Sequence, residues 1–137
     1  MKNLTTGIMT LFNTSNTFNT AIGGRLFKGR VPEGTPLPYA MFFVVSDVQA
    51  DTFKDTIADV AIQFSLFSGS SSSAEIEDMY TALKALFDDA IFTVTGNTIV
   101  SMIRQQAGFL SVPADTVEGT EEIWQYDIDY NCILQRG

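Results

Sequence analysis

A chain of 137 residues has room for one ordinary domain whose core hides roughly 65 to 70% of the unfolded surface, and 45% apolar residues with eleven phenylalanines exclude a disordered chain. Sixteen acidic against eight basic residues give a net charge of −8, which excludes a protein that grips nucleic acid through clustered Lys and Arg. One cysteine and no histidine leave no intramolecular disulfide, no Cys and His zinc site and no imidazole base.

The N-terminal MKNLTTGIMTLFNTSNT is too polar and interrupted for a signal peptide, and no run approaches the roughly 18 apolar residues of a membrane span, so a protein kept in the cytoplasm and off membranes is expected. Leu4, Ile8, Leu11 and Phe12 fall on one helical stripe, and the Asn- and Thr-rich NTSNTFNT then ends or breaks that helix. After Gly23-Gly24, the triplet Arg25-Leu26-Phe27 reads as a short edge strand, and a long loop follows with Pro36 and Pro38 keeping the residues before them extended. Residues 39–48 are apolar at both alternate sets of positions, the pattern of a strand covered on both faces at a sheet's centre or under a partner. In the next strand Ala58, Val60, Ile62, Phe64 and Leu66 point one way and Asp59, Gln63 and Ser65 the other.

Ser72 and Glu75 form a capping box that opens a helix from about Ser73 to Asp88, with Ile76, Met79, Tyr80, Leu83, Leu86 and Phe87 on its apolar stripe; Asp88 and Asp89 then stand at its unfavourable C-terminal pole. Residues 91–94 and 99–112 flank a Thr95-Gly96-Asn97 turn, the second run making a long strand with a bulge expected near Gly108. After a loop from Pro113 to Gly119, the last strand sets Trp124, Tyr126, Ile128, Tyr130, Cys132 and Leu134 against Gln125, Asp127, Asp129 and Asn131. The order predicts a single α+β domain over residues 1–137, a mostly antiparallel sheet with two helices packed on one face.

Chemistry is hard to place. Cys132 falls in a core row and no histidine exists to activate it or a serine, so no catalytic residue is assigned. Asp47, Asp51, Asp55 and Asp59 recur every fourth residue, but residues 49–56 are a connection between strands, without the glycine turn of a calcium loop, so no metal site is assigned. Gly23-Gly24-Arg25 lacks the spacing of a phosphate loop, and no cofactor is expected. The stretch GGRLFKGRVPEGTPLPY differs in kind: Arg25, Lys28 and Arg30 concentrate positive charge that can dock against an acidic surface, including another copy of the chain. The charged share, 18%, is also low for a monomer's exterior, so part of the surface is expected to serve partners.

The N-terminal helix leading to Ile22-Gly23-Gly24-Arg25-Leu26-Phe27, the loop ending in Pro36-Leu37-Pro38-Tyr39, the apolar strand ending near Ser46-Asp47, AIQFSLFS before a Ser-capped helix, and the aromatic closing strand occur in an order that resembles the tail-terminator, or tail-completion, proteins of long-tailed bacteriophages, prophages and gene-transfer particles. The resemblance covers nearly the whole chain. It implies an α+β virion protein without enzyme activity or cofactor. Such a protein assembles in the host cytoplasm as a hexameric ring that caps the head-proximal end of the tail tube, stops its polymerisation and meets the head's connector. Its partners are further copies of itself, the major tail tube protein and a head-completion or connector protein, with DNA passing through the lumen. By segment only, the resemblance marks Arg25, Lys28, Arg30, Pro32, Pro36, Pro38 and Tyr39 as subunit or tube contacts; acids such as Asp127 and Asp129 are expected to face the lumen. The alternatives are a head-completion or tube protein of the same assembly, or a small acidic ligand- or metal-binding domain or enzyme.

Overall fold

In the computed structural model, which describes residues 2–14, 16–51, 56–69, 74–90, 97–112 and 123–136, the stripe of Leu4, Ile8 and Phe12 lies fully buried on α1 (Lys2–Phe12). The asparagines that weaken this helix go on to organise its end. Asn16 Nδ2 donates to the Phe12 carbonyl at 2.9 Å while Asn16 Oδ1 accepts from the Asn19 amide at 2.8 Å, capping the one-turn helix α2 (Thr17–Ala21). Phe18 of α2 then meets Phe12 edge to face at 5.6 Å. The predicted first helix is thus two pieces folded against each other, with the break where the Asn and Thr run placed it.

Gly23 and Gly24 turn the chain out of α2 with φ of 58° and 77°, a region that any side chain would enter under strain. The strand β1 (Leu26–Lys28) follows at the sheet's edge, parallel to β2 (Tyr39–Asp51). Next come β3 (Thr56–Ser68), α3 (Ala74–Phe87), β4 (Asn97–Val112) and β5 (Ile123–Arg136), giving one five-stranded sheet of order β1-β2-β3-β5-β4. All its pairings except β1 with β2 are antiparallel. The α+β class and mostly antiparallel sheet read from the sequence are the observed ones. The Ser72 half of the capping box, residues 91–96 and the loop from residue 113 lie outside the described residues.

The alternation in β3 and β5 sends Val60, Ile62, Phe64 and Leu66, together with Ile128, Tyr130, Cys132 and Leu134, to one face, where all are buried. α3 covers that face with Ile76, Met79, Leu83 and Phe87, α2 packs on α3, and α1 touches β1. Phe64 is the hub: its ring lies 5.6 Å from Phe42, 4.7 Å from Phe87 and 5.7 Å from Tyr130. Each such ring pair adds about 0.5–1.5 kcal/mol beyond area burial.

Two expectations need correction. Within the chain β2 is not covered on both faces: Ala40 and Phe42 enter the core, but Tyr39, Met41 and Phe43 are half-buried and Val45 is exposed, because the helices take the other face. The bulges of β4 lie between Ile99 and Ser101 and between Arg104 and Gln106, while Gly108 stays in register opposite Asp127. The second bulge has a local cause. Regular alternation would put Arg104 and Gln106 on one face, and the extra residue lets Arg104 reach Asp88 on the helix side while Gln106 reaches Asp129 on the other.

Phe64→Ala should therefore lower the unfolding free energy by about 3–5 kcal/mol in a denaturant titration, whereas Asn16→Ala, which removes the cap of α2 and the bond to the Phe12 carbonyl, should cost about 1–2 kcal/mol.

Candidate assembly surface

With the helices on one side, the outward residues of β3, β5, β4 and β2 form an open face with two halves. The β5 half is acidic. Asp127 Oδ1 accepts from Ser65 Oγ at 2.8 Å and Gln125 Nε2 at 2.9 Å, and Asp129 accepts from Gln63 Nε2 at 3.0 Å and Gln106 Nε2 at 2.7 Å on its two oxygens. Asp59 Oδ1 accepts from Asn131 Nδ2 at 3.0 Å. Every donor in this set is a neutral amide or hydroxyl, so the carboxylates are oriented while their charge is left uncompensated. A shallow hollow of about 280 Å³ lies between Gln63, Gln106, Gly108, Asp127 and Asp129.

The β2 half is apolar. Tyr39 packs on Phe67 at 5.2 Å between centroids, and Phe43, Val45 and Ala61 line a second hollow of about 330 Å³ that reaches Gln105 and Asp129. The face thus grades from carboxylate and amide to aromatic and aliphatic across four strands.

The basic loop divides in two. Arg25 is half-buried and its Nε donates to the Pro38 carbonyl at 2.9 Å, so it closes the neck of its own loop. Lys28 and Arg30 are exposed, as are Pro32 and Pro36, while Pro38 and Tyr39 sit half-buried where the chain enters β2. Of the expected contact residues, Lys28 and Arg30 therefore remain as free-standing positive charge beside β2, and Arg25 has an internal role.

Sequence reasoning missed a cluster on the helix side. Tyr130, fully buried, donates its hydroxyl to Asp88 Oδ1 at 2.5 Å; Arg104 pairs with the same carboxylate at 3.3 Å and donates to the Tyr80 hydroxyl at 2.9 Å. Tyr80 stacks on Tyr126 at 4.3 Å and Lys84 lies 4.5 Å above its ring. The signal was present: an acid at a helix's negative pole is unfavourable on its own and implies a partner. Asp89 takes φ 56° beyond the helix end and its amide reaches the Met102 carbonyl at 2.9 Å, tying α3 to β4.

Burial, with a smaller contribution from Asp59, pushes the Cys132 thiol up to about 12, so the chain's one thiol stays protonated inside the sheet. Among the described residues no three of Cys, Asp and Glu converge to hold a metal ion.

The sequence profile of the tail completion protein gp17 family matches residues 6–123. The chain belongs to that family. Membership makes it a structural component of a phage-type tail, and hence of a virion-type particle. No curated protein matches the sequence. Among solved structures, a chain from the virion of a native gene transfer agent particle is similar, with a TM-score of 0.74 and 14% identity over 95% of this chain and 92% of that one, a likeness of fold. For a tail completion protein, the open face and the free charges beside it are the surfaces of interest.

Burial raises the phenol of Tyr130, assisted by its bond to Asp88, in the same direction as the Cys132 thiol. Both groups ionise more readily in the unfolded chain, so the stability they contribute is complete below about pH 9 and should fall as pH rises beyond it, as urea titrations across that range would record. Asp88→Ala, which leaves the buried Tyr130 hydroxyl without its acceptor, should cost about 1–3 kcal/mol, and Arg104→Ala under about 1 kcal/mol.

Proposed function

We propose that this tail completion protein closes the head-proximal end of a tail tube as a ring, of six copies on the family resemblance, ending tube polymerisation and presenting the surface that joins the head's connector. Family membership supports the setting, and one observation carries the assembly reading. A small sheet buries one face under its own helices and leaves the other open, with aromatic and aliphatic residues beside a carboxylate row. The apolar half and the free Lys28 and Arg30 serve contacts with neighbouring protein, the next copy or the tube. The half bearing Asp127 and Asp129 faces the DNA path. Carboxylates held by neutral donors repel phosphate along that path, the inverse of a counter-ion-releasing grip.

Assembly reactions with tube protein test the reading. Without this protein, tails should grow to uncontrolled length and fail to join heads; adding it should fix the ends. Light scattering distinguishes the neighbouring roles, since a terminator gives a closed species of finite mass and a tube subunit an open polymer, while a strict monomer that ignores tubes would count against both. Neutralising Asp127 and Asp129 as Asp127→Asn and Asp129→Asn should leave the ring intact and slow DNA passage or ejection by several-fold. Unchanged ejection would remove the acids from the lumen. Lys28→Glu with Arg30→Glu should weaken assembly at low salt while leaving the circular dichroism spectrum as it was.

A further inference from the structure

Among the described residues the sheet has two open edges. Among the described residues nothing pairs with the outer side of β4, and β1 covers β2 only at residues 40–42, leaving residues 43–51 with an unpaired outer side. An unpaired edge of this length is a template for another strand. Among the described residues, the two large apolar side chains that stand exposed, Val45 at 57% and Ile103 at 49%, lie one on each of these edges.

Their heights coincide. Across the sheet, Val44 pairs with Ile62, Ile62 with Tyr130 and Tyr130 with Arg104, while Ser46 pairs with Ala61, Ala61 with Asn131 and Asn131 with Ile103. Val45, in the bulge between Val44 and Ser46, therefore occupies the same rung as Ile103 and Arg104 at the opposite edge. Both apolar side chains belong to the open face: Val45 lines its apolar hollow and Ile103 stands opposite Asn131.

We infer that the β4 edge of one copy pairs with residues 43–51 of β2 in the next copy, head to tail, with Ile103 packed on Val45 and the sheet continued from subunit to subunit. This inference rests on the ring reading above and specifies its seam. Three features fit it. The strand directions are right, because β2 and β4 run opposite ways within one copy, so copies standing side by side present an antiparallel pair. The lengths are right too. With Val45 opposite Ile103, residues 43–45 face residues 103–105 and, past the bulges at Val45 and Val100, residues 49–51 face residues 97–99, so the end of β2 meets the start of β4. Where the neighbour's β1 would block further pairing, β4 has its bulge between Arg104 and Gln106, which bends a strand out of line.

Cross-linking tests the seam. A Val45→Cys, Ile103→Cys double variant, oxidised at high protein concentration, should give a ladder of disulfide-linked species ending at the size of the ring. Each single variant should stay unlinked, because a head-to-tail contact never brings two like residues together, and mixing the singles should restore linked pairs. Buried Cys132 stays outside the reaction. Independently, Val45→Lys or Ile103→Lys should reduce assembly at least ten-fold with the monomer's spectrum unchanged. Rings that form with neither the mixed cross-link nor sensitivity to the lysines would overturn this seam and leave the ring reading standing. A single variant that links to itself would show a two-fold contact and overturn the seam as well. A wild-type chain that stays monomeric at every concentration and ignores tail tubes would overturn both.

Discussion

The ring of Phe64 joins the two layers of this fold. It projects from the middle of β3 and is in aromatic contact with a neighbouring strand through Phe42, with the covering helix through Phe87 and with the closing strand through Tyr130. Phe87 in turn meets Phe18, and Phe18 meets Phe12, so a chain of rings runs from the sheet to the N-terminal helix. With so much apolar surface drawn to one side, the three helices have no stripe left for the other. The open face follows from where the aromatics went, and the proposed assembly surface is what the core left uncovered.

Much of this was readable in the residues. The strict alternation of β3 and β5 identified both faces and placed Cys132 inside, and the Asn and Thr run marked the helix break, because these features depend on local periodicity and propensity. What escaped depends on long-range pairing. The two apolar sets of β2 are the same in sequence, and only the placement of the helices decides that the set with Phe43 and Val45 is uncovered. The β4 bulge was misplaced to Gly108 because a glycine draws attention, whereas Arg104 and Gln106 need opposite faces for partners distant in sequence, Asp88 and Asp129. The loop bases form one group in the sequence, yet the bond of Arg25 to Pro38 separates it from Lys28 and Arg30, a division that composition cannot express.

The distribution of charge has its own logic. On the helix side, Asp88 is met by a guanidinium and a phenol and helps to hold α3 to the sheet. On the open side, Asp127 and Asp129 are held only by Gln and Ser side chains. The same residue type thus serves cohesion on one face, and on the other is oriented without being neutralised, which keeps a field directed outward from a sheet that still packs well.

The loop between β1 and β2 is tied at its neck. The Gly29 amide reaches the Phe42 carbonyl at 2.7 Å, the Ala40 amide reaches the Arg25 carbonyl at 3.0 Å, and the Arg25 side chain clasps Pro38. Beyond these ties Glu33 and Gly34 are exposed, and for a loop with pinned ends each doubling of length costs only about 0.6 kcal/mol of closure entropy. The tip is accordingly a place where evolution or an experimenter can lengthen the chain, adding a contact or a label, without the sheet registering the change.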